Sequence, residues 1–133
     1  MQIVDALRTT LVAAIVTDLG ATCFARFYTT ALATLLASAS LSSPPFIAGA
    51  AGVTDLDITP PVEDTSPAAA GTAVRLTFYL NSTDTDALWR VQLGIATGGT
   101  PDVTMSNNVI ATTDTVQISS LSFTVPAGTP DDT

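Results

Sequence analysis

The sequence predicts a mainly β protein: an antiparallel β-sandwich or open barrel of six to seven short strands, with one N-terminal amphipathic α-helix. Three observations lead there. Apolar residues recur at every fourth position only as far as Gly20, and afterwards alternate with a period of two. Clusters of Gly, Pro, Asn, Asp and Ser break the alternating part at short intervals, as turns between strands do. At 133 residues, 47% hydrophobic and 12% charged, the chain is long and apolar enough to bury a core without disulfides.

The helix is read over residues 2–20. Ile3, Leu7, Leu11, Ile15 and Leu19 form its stripe, Val4 and Val12 widen it, and Gly20 stands at the C-cap position. Asp5, Arg8, Thr9 and Thr17 define the opposite face, so the helix is expected to lie on one side of a larger body. The β part is read over residues 22–125. Thr22 to Thr29 alternates around Phe24, Arg26 and Tyr28, and Leu35, Ala37, Ala39 and Leu41 share one face of a second strand that Ser43-Pro44-Pro45 ends. Val53 to Thr59 sets Thr54, Leu56 and Ile58 against Val53, Asp55 and Asp57. The stretch from Pro60 to Gly71, rich in Pro, Ala, Thr and acids, reads as a long surface loop.

Ala73 to Leu80 is the clearest strand, with Val74, Leu76, Phe78 and Leu80 on one side and Arg75, Thr77 and Tyr79 on the other. Asn81 to Asp86 supplies turn residues. Leu88 to Leu93 then returns as the antiparallel partner, with Trp89 on the core side beside Val91 and Leu93 and Arg90 on the outer face. After Gly98-Gly99-Thr100-Pro101, Val103 and Met105 mark a short strand. In Thr115 to Val125 the apolar parity shifts between Ile118 and Leu121, which predicts a bulge or bend near Ser119-Ser120. Residues 126–133 read as a flexible acidic tail, and the whole as a single domain over 1–133.

The reactive inventory is short. Lysine and histidine are absent, Cys23 is the only cysteine, and Arg8, Arg26, Arg75 and Arg90 are the only cations, for a net charge of −8. Without histidine, and with one thiol, Ser-His-Asp and Cys-His nucleophile systems and the usual zinc sites cannot be assembled. Without lysine there is neither a Schiff base nor a GxxxxGK[ST] phosphate loop. Four arginines far apart in sequence do not make a nucleic-acid surface, and the acidic balance opposes anionic membranes.

Cys23, beside Phe24 and near Phe27, reads as a buried inert thiol. The pairs Asp55/Asp57 and Asp84/Asp86 are spaced i, i+2, about 7 Å apart on one side of a strand. That lies within the range of inverting glycosidase acids, but solvated strand and turn aspartates are the favoured reading. Asn81-Ser82-Thr83-Asp84-Thr85-Asp86 lacks the central glycine and terminal glutamate of a calcium loop. No catalytic, cofactor-binding or metal-ligating residue is therefore assigned, and the chain is expected not to be an enzyme. Asp5 and Asp18 interrupt the only N-terminal apolar run, far short of the ~20 residues of a membrane helix, so no signal peptide is read and no membrane partner is expected.

Several segments recur together, in order: Leu7-Arg8-Thr9-Thr10-Leu11 running on to Ile15; Arg26-Phe27-Tyr28; Leu35-Leu36-Ala37 to Phe46; the acidic Asp64-Thr65-Ser66 to Ala73 segment leading into the aromatic strand; and the closing run Val116 to Pro126. This arrangement resembles small virion structural proteins of tailed bacteriophages. Members of that family usually carry Gly-Thr-x-Pro after the tyrosine, where this chain has Thr29-Thr30-Ala31-Leu32. The resemblance implies a β-rich capsid decoration, or cement, protein on the outer surface of the virion shell. Such a protein would be made in the host cytoplasm, bind the major capsid protein, and form a homo-oligomer, a trimer rather than a dimer. The alternative it implies is a tail fibre or baseplate component that binds a host surface glycan.

Overall fold

The computed structural model describes residues 1–20, 23–58, 61–80, 91–98, 103–105, 107–118 and 121–128. Helix α1 runs over Asp5–Leu19 and stops at Gly20, whose φ of 62° is a left-handed value that glycine adopts without a Cβ penalty. It starts later than the four-residue spacing predicts because the residues before it are engaged elsewhere. The Ile3 N–H donates to Ala127 O at 2.6 Å, and Gln2 forms an antiparallel bridge with Gly128, leaving Val4 as the N-cap. The same pairing corrects the reading of the tail: residues 126–128 are tied to the N-terminus, and residues 129–133 lie outside the described residues.

The strands are β1 (Phe24–Tyr28), β2 (Leu35–Ser40), β3 (Phe46–Ala48), β4 (Val53–Leu56), β5 (Val62–Asp64), β6 (Gly71–Thr72), β7 (Arg75–Tyr79), β8 (Val91–Ala96), β9 (Val103–Thr104), β10 (Val109–Ile110), β11 (Val116–Ile118) and β12 (Ser122–Thr124). The mainly β class with one N-terminal helix is as the sequence predicts, although the strand segments are shorter and more numerous than six or seven. They form a five-stranded sheet in the order β2-β1-β7-β8-β9, a three-stranded sheet β12-β4-β3, and the pairs β10-β6 and β11-β5. All pairings are antiparallel except β8 with β9, which is parallel.

The core lies on one face of the large sheet. Cross-strand partners Ala25 and Phe78, Phe27 and Leu76, and Leu76 and Leu93 are all buried there. The three-stranded sheet supplies the second layer: Phe46 on β3 meets Phe78 on β7 edge-on, with centroids 5.1 Å apart and planes at 86°. Leu56, Val62, Ile110 and Val116 close the remaining sides. On the other face of β1 and β7, Arg26, Tyr28, Thr77 and Tyr79 are also buried, so these two strands have no solvent face.

Several expectations are corrected in detail. In β2 the pairing skips a residue, Phe27 facing Ala37 while Tyr28 faces Leu35, so Leu35 does not share a face with Ala37. This bulge lets Leu36 and Ala37 both be buried. The expected surface loop from Pro60 to Gly71 contains β5, which pairs with β11 and buries Val62 completely. Three residues are too few to show a period in sequence.

The same segment seals the edge of the large sheet. Asp64 Oδ2 accepts from the Ser38 N–H at 2.8 Å, and the Ala68 N–H donates to Leu36 O at 2.8 Å. The predicted strand Thr115 to Val125 is two strands in two sheets, β11 on β5 and β12 on β4, so the parity shift falls between strands of different sheets. Ser119 and Ser120 themselves lie outside the described residues. Leu93 pairs with Leu76 as the predicted hairpin requires, while the turn Asn81 to Asp86, Trp89 and Arg90 lie outside the described residues.

Candidate functional site

The largest departure from the sequence reading concerns which side of α1 faces the protein. A spacing of four residues overshoots one helical turn by about 40°, so a stripe from Ile3 to Leu19 winds around the helix rather than staying on one face. Val12 and Leu19 are buried, with Val16 packed against the core, whereas Val4, Leu7 and Leu11 are 68%, 49% and 36% exposed. Arg8 and Thr9, expected on the outer face, are turned toward the body.

Two hydrogen bonds account for that rotation. Arg8 Nε donates to Val125 O at 2.8 Å, just beyond β12, and the Ala51 N–H donates to Thr9 Oγ1 at 3.0 Å. Arg8 Nη1 also meets the exposed Asp5 carboxylate at 2.9 Å, a solvent-screened pair of small energetic weight. The joint is tight: at Gly52, with φ of 78°, a Cβ would stand 2.9 Å from Val125 O and 3.0 Å from Arg8 Cβ.

The outward side of α1 carries an apolar strip between the exposed polar residues Asp5, Thr10, Thr17 and Asp18. Val4, Leu7, Leu11 and Ala14 follow one another at three- and four-residue steps, the seam spacing of a helix pair. Beside the seam lies an open groove of about 370 Å³, lined by Leu11, Ala14, Ile15, Asp18, Leu19, Val91 and Val125. Apolar side chains on the strip and most of the groove lining are thus in contact with water. No helix among the described residues is long and apolar enough to cross a membrane.

The residues singled out for chemistry are dispersed. Cys23 is buried, and burial pushes its thiol up to about 12, against a weaker opposing hydrogen bond from the Phe24 backbone. Asp55 is exposed on the outer side of β4, and Asp57 lies beyond the end of that strand, its N–H donating to Pro45 O at 3.0 Å. Asp84 and Asp86 lie outside the described residues. Among the described residues, no group of three or more His, Cys, Asp or Glu is placed to hold a metal ion.

The buried face of the large sheet was not anticipated as a unit. The Arg26 guanidinium lies 4.6 Å from the Tyr79 ring centroid, and Tyr28 tilts against Tyr79 at 6.3 Å. The alternation Phe24, Arg26, Tyr28 gave their common side, but not that it would be covered. Against known proteins, no family model matches the chain, and no curated protein or solved structure matches it significantly.

Proposed function

We propose that this chain is a non-enzymatic assembly protein of a virion, a capsid decoration protein that binds the outside of the major capsid shell and stabilises it. The observation that carries the reading is α1, which turns Val12 and Leu19 into the protein and leaves the large apolar side chains of Leu7 and Leu11 exposed. Large apolar side chains grouped on a helix surface mark interaction sites, and leaving Leu7 and Leu11 in water is consistent with a surface completed by assembly. Ile47, 61% exposed on β3, and Val109, 57% exposed on β10, place further apolar side chains on separate elements. That distribution suits shallow contacts with several neighbours, which a lattice multiplies into avidity.

The test is direct. Purified protein added to undecorated heads is expected to bind them and raise their disruption temperature, and Leu7→Glu, at an exposed position, to weaken binding. Heads that disrupt at an unchanged temperature would overturn the proposal.

A further inference from the structure

We infer that Asp64 and the segment it opens, residues 64–69, guard the outer edge of the five-stranded sheet and keep β2 of one copy from adding to β2 of another. The inference is independent of the capsid reading and uses nothing from α1. β2 is the edge at which a guard matters. The other edge strands of the two larger sheets are short, two residues in β9 and three each in β3 and β12, while β2 runs for six residues, Leu35–Ser40. Its sequence, Leu-Leu-Ala-Ser-Ala-Ser, contains no charge and no proline, and the chain has no lysine to place there. Shortness, charge and proline are the usual means by which an edge strand is kept from pairing with another chain, and β2 has none of them in its own residues.

The protection comes from a distant part of the chain. Leu36 O and the Ser38 N–H are groups that a further strand on β2 would take up, and both are engaged by residues 64–69. Asp64 Oδ2 accepts from the Ser38 N–H at 2.8 Å, and Leu36 O accepts from the Ala68 N–H at 2.8 Å and the Ala69 N–H at 3.4 Å. The second carboxylate oxygen, Asp64 Oδ1, accepts from the Ser66 N–H at 2.9 Å. One side chain therefore shapes the turn of its own segment and caps the sheet edge. It fills the place of a neighbouring strand's carbonyl without offering the N–H that would continue the ladder.

The segment does not pass the open edge on to itself. Pro67 has no N–H to donate, and Glu63 and Asp64 set two acidic side chains beside it. Val62 and Pro67 are both buried and fasten it to the body. Two copies freed at β2 would pair antiparallel about a two-fold axis, joining their five-stranded sheets into one. The Ser38 N–H would then be protected by the second copy in place of Asp64.

Hydrogen exchange resolved to Ser38, together with sedimentation of the full chain, tests the guard. In the wild-type chain the Ser38 amide is expected to be equally protected at about 10 μM and about 1 mM. Asp64→Ala should speed its exchange by about 10- to 100-fold at the lower concentration. At the higher concentration protection should return as the mass rises to about twice the wild-type value. Ala68→Pro, which removes the N–H bonded to Leu36 O, should strengthen both effects when combined with Asp64→Ala. Asp64→Asn keeps one acceptor oxygen and should fall between wild type and Asp64→Ala, giving a second reading where the alanine variant fails to fold. Two controls separate a guard from lost charge and from general weakening. Asp55→Ala removes an acidic side chain from the exposed outer side of β4, Ile95→Ala opens a cavity on β8, and neither should associate. Unchanged Ser38 exchange in the Asp64 variants, no gain in mass at the higher concentration, or an equal gain in either control would overturn the inference.

Discussion

Gly52→Ala is the substitution that most sharply probes how α1 is held. The backbone of Gly52 has φ of 78°, and an added Cβ would lie 2.9 Å from the Val125 carbonyl oxygen, a backbone atom with little room to yield. Left-handed backbone costs a residue with a Cβ about 1–2 kcal/mol, and overpacking a closely fitted site about 1–3 kcal/mol, so the variant should lose about 2–5 kcal/mol. With an unfolding entropy near 2.1 cal/mol/K per residue over 133 residues, each kcal/mol moves Tm by about 3.6 °C, and the expected fall is about 7–18 °C.

Differential scanning calorimetry of Gly52→Ala beside Gly98→Ala provides the measurement, because a Cβ at Gly98 meets nothing within 4 Å. Hydrogen exchange should show α1 amides losing protection first in the Gly52 variant, as the helix is pushed off the Val125 and Arg8 contacts. If the two variants melt together, the joint at Gly52 does not position the helix.

Two further outcomes follow from local geometry. Ala31 is exposed with φ of 56°, in the turn after β1, so Ala31→Gly should raise stability by about 0.5–1 kcal/mol in urea melts; a loss would show that the turn tolerates alanine without strain. For Cys23 the folded pKa is raised from 9.0 to about 12, so the stability it confers is fully present below pH 9 and is lost as the pH rises toward 12, by up to about 1.4 kcal/mol per pH unit. Cys23→Ala should flatten that decline in pH-dependent melts, and identical slopes in the two proteins would contradict the assignment.

Where a residue's environment is set by its nearest neighbours in sequence, the pattern was legible. The alternation in Arg75 to Tyr79 places Leu76 and Phe78 in the core as read, Gly20 ends α1, and the parity shift before Leu121 separates two strands that lie in different sheets. Where the decisive partner is distant, it was not. Val62 is completely buried because it pairs with Ile118, and Asp64 acts on Ser38 across an edge that no local pattern reveals. The covered side of β1 and β7 was hidden for the same reason: period-two alternation separates two faces but does not say whether the second meets water. The candidate site was the least legible part, since Leu7 and Leu11 look like core by composition and are surface by orientation.

That orientation is fixed by polar groups rather than by the apolar ones it displays. Hydrophobic burial is non-directional, and a helix bearing Leu7, Leu11, Val12, Ile15, Val16 and Leu19 gains comparable apolar contact over a range of rotations about its axis. Hydrogen bonds are directional, and turning α1 to bury Leu7 and Leu11 would part Arg8 from the Val125 carbonyl and Thr9 from the Ala51 N–H. Leaving such half-buried groups without partners costs about 1–3 kcal/mol each, enough to decide among rotations that apolar contact alone leaves close in energy. The latch at Arg8 and Thr9 therefore selects the face that stays outside, and the protein presents Leu7 and Leu11 because its polar contacts hold them there.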